Sequence, residues 1–251
     1  MCVRPCFRGH VASTDDLWRL TVFWSGFLAA YEGVNEVRLG ILASHNGSNM
    51  QAVVDACKAG ELKADPVLVI SNNSGSRVLK RAEREGVRSC VLNGKTHPAP
   101  EDLDRAMVEV LLQEEVDLLV LAGYMKKLGP EVLRAYWGRI LNTHPALLPK
   151  FGGKGMWGDR VHEAVLSSGD SVTGATVHLV TEDYDEGPIV AQVEVPVYPD
   201  DTVSELRDRV LVQEHRLYVD TLKSIVDGSI DLEKLCPPGR PGSEPGNECE
   251  G

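Results

Sequence analysis

Short apolar runs of strand length alternate along this chain with stretches whose apolar positions recur at helical spacing. The first run is Val37–Leu42, followed by a Gly-containing turn. A helical pattern then carries Met50, Val53, Val54, Ala56 and Cys57 on one stripe. The rhythm repeats, with strands expected at Pro66–Ile70 and Val87–Leu92 and helices at Val78–Glu85 and Leu103–Glu115. Val116–Ala122 is almost continuously apolar, as a central parallel strand covered on both faces requires. Pro130–Trp137 reads as a helix with Pro near its start, and Arg139–Asn142 leads into a further strand.

Alternating strands and helices predict a three-layer α/β fold, an open and mostly parallel Rossmann-like sheet with helices on both faces. From Gly174 the rhythm changes. Ala175–Val180 and Ile189–Val195 are two strand patterns with only a loop between them, which predicts an antiparallel edge. Thr202–Val226 is a long amphipathic helix. Three segments follow: an extension at 1–36 (a transit segment or a disordered stretch), a catalytic domain at 37–233, and a Pro/Gly-rich disordered tail at 234–251.

The net charge of −11, with no basic stripe, argues against binding along a nucleic-acid backbone. No apolar stretch is long and clean enough to span a bilayer. The six cysteines are scattered and read as reduced thiols in a reducing compartment. A local anion site survives the acidic total, because backbone N–H groups at a helix start act at short range.

Three segments carry candidate chemistry. Asn142-Thr143-His144-Pro145-Ala146-Leu147-Leu148-Pro149 follows a strand, so it lies at the carboxyl edge where open α/β sheets place their ligands. Alternation puts Asn142 and His144 on one side of the extended chain. Donors so placed can stabilise the oxyanion that forms when an amine attacks a carbonyl carbon, and a protonated His144 could then supply the leaving nitrogen. The same pair also fits a strand-end turn beside a structural histidine.

The acidic loop Thr181–Pro188 lies between the two edge strands. A carboxylate from it beside His144 would orient the imidazole and raise its pKa. Asn46-Gly47-Ser48-Asn49 turns into the first helix and offers N–H groups to an anion, with Ser48 or Asn49 also able to cap that helix. It is neither a dinucleotide fingerprint nor a P-loop. His178, between Val177 and Leu179, reads as a structural histidine, and no His/Cys cluster supports a metal. Gly152-Gly153-Lys154-Gly155 reads as a mobile loop.

Taken in chain order, these segments resemble the folate-dependent formyltransferases. Residues 142–149 are similar to that family's Asn-x-His-Pro-Ser/Ala-Leu-Leu-Pro motif. Residues 46–51, the loop ending at Pro188, Ala122-Gly123-Tyr124-Met125 and Gln213-Glu214-His215 resemble its glycinamide ribonucleotide branch. The Gly-Gly-Lys-Gly-Met loop resembles the form found in plants, algae and some bacteria. His45 departs from the family's usual Gly, and Pro100 stands where some members carry Arg near the folate tail.

The resemblance implies transfer of a formyl group from 10-formyltetrahydrofolate to the amine of N1-(5-phospho-D-ribosyl)glycinamide, without a metal or a covalent intermediate, in purine synthesis. It implies Asn142, His144 and Asp185 as catalytic residues. Asn46, Gly47, Ser48, Asn49 and Glu214 would hold the phosphate and ribose. Met125, Lys126, Lys127, Leu128 and Glu182 would hold the folate. It leaves monomer and homodimer both open, and implies the cytoplasm or, in a photosynthetic eukaryote, the chloroplast stroma. A formyltetrahydrofolate deformylase and a non-catalytic binding homologue are the competing members. A methionyl-tRNA formyltransferase would need a further domain and a basic surface.

Overall fold

The structure, a computed structural model, describes residues 36–236; the expected 1–36 extension and most of the 234–251 tail lie outside the described residues. Its strands are β1 (Val37–Leu42), β2 (Ala64–Ser71), β3 (Arg88–Val91), β4 (Leu118–Leu121), β5 (Ile140–His144), β6 (Val172–Leu179) and β7 (Ile189–Pro196). They form one sheet in the order β3-β2-β1-β4-β5-β6-β7. The β1–β5 pairings are parallel, and β6 and β7 add on antiparallel. The helices are α1 (Ser48–Lys58), α2 (Arg77–Glu85), α3 (Pro100–Gln113), α4 (Pro130–Ala135), α5 (Asp159–Ser168), α6 (Val203–Val226) and the short α7 (Leu232–Leu235), which crosses the expected boundary at 233.

Side-chain alternation along the strands divides the core. Leu39 and Ile41 of β1 and Val120 of β4 pack with Met50 and Val53 of α1 and Tyr218 of α6. Leu42, Leu119 and Leu121 point the other way, onto Met107 and Leu111 of α3 and Val132 of α4. Gly40 sits where α3 approaches closely: a Cβ there would press on Val116, Leu111 and Leu119.

Two local devices position the site. Tyr218, fully buried on α6, has its hydroxyl 3.0 Å from the Leu141 carbonyl and 3.2 Å from the Leu121 carbonyl. One helix residue thereby ties the carboxyl end of β4 to the part of β5 just before Asn142. The helix that carries it starts with a capping box: Thr202 accepts from the Glu205 N–H while the Glu205 carboxylate accepts from the Thr202 N–H.

The second device is Asp104, buried on α3, whose carboxylate accepts from the Glu131 N–H (2.7 Å) and the Val132 N–H (3.2 Å) at the start of α4. A cap borrowed from a neighbouring helix thus fixes the element after residues 125–128, and a side chain on Gly129 would collide with it. Asp104→Ala should destabilise the chain by about 2 kcal/mol, from the lost cap and the orphaned N–H groups. A urea titration should show a lower midpoint at unchanged slope.

Several boundaries move. The strand expected over Arg139–Asn142 extends through His144, and β6 starts at Val172. Helix α5 was not foreseen: the Gly-rich stretch before it obscures a start set by Gly158, and only Val161, His162 and Val165 are buried.

Candidate active site

Asn142 and His144 end β5 and face the same region, joined there by two residues from the neighbouring antiparallel β6–β7 hairpin. Asn142 pairs with His178 across the antiparallel β5–β6 ladder, and its Nδ2 lies 3.0 Å from His178 Nε2. Asp185 enters from the β6–β7 loop. Its Oδ2 is 3.5 Å from His144 Nδ1 and its Oδ1 is 3.6 Å from His178 Nε2. The loop can close so tightly because Gly187 lies directly against the Leu179 carbonyl, where any Cβ would collide. Asp185 itself adopts a left-handed backbone (φ 59°), which Asp accepts more readily than most residues.

The Gly152–Gly155 segment, expected as a free loop, is tied to this cluster. His144 Nε2–H donates to the Phe151 carbonyl (2.8 Å), and the Gly153 N–H donates to Asp185 Oδ2 (2.9 Å). Phe151 is left-handed as well (φ 57°), an uncommon conformation for a bulky residue and one that aims its carbonyl at the histidine. Thr176 secures the preceding turn, donating to the Ala146 carbonyl (2.6 Å) and accepting from the Leu148 N–H (3.1 Å).

The electrostatics correct one expectation. The Asp185 carboxylate and the Phe151 carbonyl do raise the pKa of His144, but burial lowers it more, so it lies below the ordinary histidine value. The resting ring is neutral near pH 7. His178 is lowered too, by burial first.

At the other strand ends, Gly47 is left-handed (φ 73°) and is the N-cap of α1, with no side chain capping the first turn. The expected capping by Ser48 or Asn49 does not occur. Asn49 instead reaches sideways and donates from Nδ2 to Glu214 Oε1 (2.8 Å) on α6. The first-turn N–H groups are left without a side-chain acceptor and without an acidic neighbour in that turn, an arrangement suited to an anion. Arg81 donates from Nε to the Asn46 carbonyl (2.9 Å) and backs the turn. Burial raises the pKa of Glu214, against the Asn49 hydrogen bond that lowers it.

A crevice of about 820 Å³ opens beyond β1 and β4. Met125, Lys126, Lys127 and Leu128 line it together with Ser44 and Tyr124. Ser44 Oγ accepts from the Met125 N–H (2.8 Å) and donates to Asn72 Oδ1 (2.6 Å), fixing its near wall. Neither Glu182 nor the Asn142–His144–Asp185 cluster lines it. The acidic loop does approach, since Lys127 Nζ lies 5.9 Å from the Tyr184 ring centroid, and Glu182 is exposed on that loop.

The structure therefore brings Asn142, His144 and Asp185 together, and separately Asn49 with Glu214. Sequence reasoning gave His178 only a structural role and Gly153 only a place in a mobile loop, and it passed over Phe151. The two-residue alternation of β6 places His178 on a face but does not give its register against β5, so its meeting with Asn142 was not visible. Among the described residues no group of three or more His, Cys, Asp or Glu side chains is placed to hold a metal ion.

Residues 37–222 match the formyl transferase family. Over 194 residues the chain is 40% identical to the chloroplastic phosphoribosylglycinamide formyltransferase of Arabidopsis thaliana, a match covering 77% of this chain and 66% of that protein. It is 36% identical over 196 residues to the phosphoribosylglycinamide formyltransferase of Haemophilus influenzae, covering 78% of this chain and 90% of that one. The crystal structure of glycinamide ribonucleotide transformylase 1 from Symbiobacterium toebii superposes with a TM-score of 0.74 at 38% identity, over 79% of this chain and 93% of that one. The present chain thus spans just under two thirds of the Arabidopsis relative and most of the bacterial ones. On this combined match of sequence and fold, the chain belongs to the formyl transferase family.

Proposed function

We propose that this protein transfers the formyl group of 10-formyltetrahydrofolate to the amine of N1-(5-phospho-D-ribosyl)glycinamide in de novo purine synthesis. The observation that carries the reading is the convergence of Asn142, His144 and Asp185 at the carboxyl edge of the sheet, with an open helix start and a crevice on the same edge.

In this reading the ribonucleotide phosphate sits on the turn at Asn46, Gly47, Ser48 and Asn49, and Glu214 accepts from a ribose hydroxyl. The folate lies along Met125, Lys126, Lys127 and Leu128, with Glu182 on the facing loop. The amine nitrogen attacks the formyl carbon, and the carbonyl oxygen becomes an oxyanion held first by an Asn142 N–H and then also by His144 once that ring is protonated. The nitrogen then sheds a proton toward Asp185 and the neutral His144. The imidazolium so formed returns it to the folate nitrogen as the carbon–nitrogen bond breaks, releasing tetrahydrofolate and the formylated amide. A neutral resting histidine suits both halves of that relay.

Residues 37–233 are the proposed catalytic domain. The chloroplastic relative makes a plastid address for residues 1–36 the proposed role of that extension. A fluorescent fusion of those residues should enter plastids, and a diffuse cytosolic signal would overturn the assignment.

The reading is tested by following tetrahydrofolate release spectroscopically with and without the ribonucleotide. Turnover should require it; equal release without it would instead identify a deformylase. Glu214→Gln should raise the KM for the ribonucleotide about tenfold with kcat nearly kept, as expected where a charge-assisted contact serves ground and transition states alike. An unchanged KM would remove Glu214 from the ribose site.

A further inference from the structure

His178 makes three contacts whose chemistry can be read in order. Its Nδ1 lies 2.9 Å from the Leu179 carbonyl, which can only accept, so Nδ1 carries a hydrogen. The ring is 2% exposed, and burial pushes its pKa down, so the second nitrogen carries none. Nε2 therefore presents a lone pair, and the group at 3.0 Å from it, on Asn142, must be the amide NH2. The Asp185 Oδ1 at 3.6 Å is the more distant neighbour of the same nitrogen.

The consequence falls on Asn142. A side-chain amide has a donor end and an acceptor end of nearly the same shape, and nothing in β5 itself selects between them. Turned over, Asn142 would set its Oδ1 lone pairs against the Nε2 lone pair. Held as it is, one N–H points to His178 and the other remains for a substrate oxygen.

We propose that His178 is a positioning residue: through the chain Leu179 carbonyl, His178 ring, Asn142 amide, it sets which end of Asn142 meets the formyl oxygen. The proposal rests on the formyl-transfer reading above. It extends that site to β6, since the ladder pairing of Asn142 with His178 sets the ring beside the amide.

The direct test is a long-range proton–nitrogen correlation spectrum of the wild-type protein labelled with 15N-histidine at neutral pH. His178 should show a protonated Nδ1 and an unprotonated Nε2. An Nε2–H tautomer or an imidazolium would overturn the proposal.

The kinetic test compares two variants. His178→Gln keeps an acceptor close to the Nε2 position, and His178→Leu removes it. His178→Leu should lower kcat by about 30- to 100-fold, a large part of what one oxyanion donor supplies, with the ribonucleotide KM nearly unchanged. His178→Gln should recover most of that loss. In an Asn142→Ala background His178→Leu should cost nothing more, because the residue acts through the missing amide. Full additivity, or a Gln variant as impaired as the Leu variant, would mean a general structural role and would contradict the proposal. Wild-type protein without ribonucleotide-dependent turnover would sink the formyl-transfer reading and leave the tautomer result standing; the wrong tautomer in an active enzyme would sink only this inference.

Discussion

Asn142→Ala should lower kcat by about 10²- to 10³-fold, the loss associated with removing one oxyanion donor. The substitution shortens a half-buried side chain at the end of β5 and leaves the ladder intact, because Asn142 pairs with His178 through its backbone. His178 keeps its bond to the Leu179 carbonyl, so only one hydrogen bond is lost from the resting protein. Thermal stability should therefore fall little while kcat collapses, and substrate KM values should move much less than kcat. A donor used only as charge develops behaves in this way. If saturating substrates restore the wild-type rate, Asn142 is a binding residue and the oxyanion role is wrong.

Asp185→Asn should cost a further class of catalysis, about 10²- to 10⁴-fold in kcat, by removing the group proposed to orient His144 and to help take the amine proton. Fold is preserved here too, since the amide oxygen can still accept from the Gly153 N–H. The pH profile gives the sharper readout. Burial lowers the His144 pKa and the Asp185 carboxylate raises it. Deleting the carboxylate leaves burial less opposed, so the pKa drops further. The ring must be neutral to accept a proton, so the acid limb of kcat lies below the usual histidine pKa of about 6.5 in the wild type and should move to still lower pH in the variant. Movement to higher pH would show that the limb belongs to another group.

The parallel half of the fold was legible because its signals are local. Leu118–Leu121 is apolar at every position, and burial on both faces follows from that run. The turn at Gly47 announces the first strand-to-helix junction. The site motif around Asn142 and His144 stood out for the same reason, as two polar residues at the end of an apolar strand.

What stayed hidden depends on contacts between distant segments. The pairing of Asn142 with His178 is set by strand register, and the approach of the Gly153 N–H to Asp185 by two loops meeting. The direction of the His144 shift follows from how deeply the ring is buried, a quantity fixed only once β6 and the Gly-rich loop cover it. Asn49 reads from the chain as part of an anion-binding turn or as a cap, and its reach to Glu214 requires α1 and α6 to pack side by side. Charge on neighbouring residues could be read from the chain, but the burial that outweighs it could not.

The central claim is that the formyl carbon passes directly to the amine of a ribonucleotide bound at the same strand edge. It is tested most directly with 10-formyltetrahydrofolate labelled with 13C at the formyl carbon. Incubated with the protein and phosphoribosylglycinamide, the label should appear on the substrate nitrogen in step with tetrahydrofolate release, and none should appear as formate. Label recovered as formate at the rate of folate release would contradict the account and make the acceptor water.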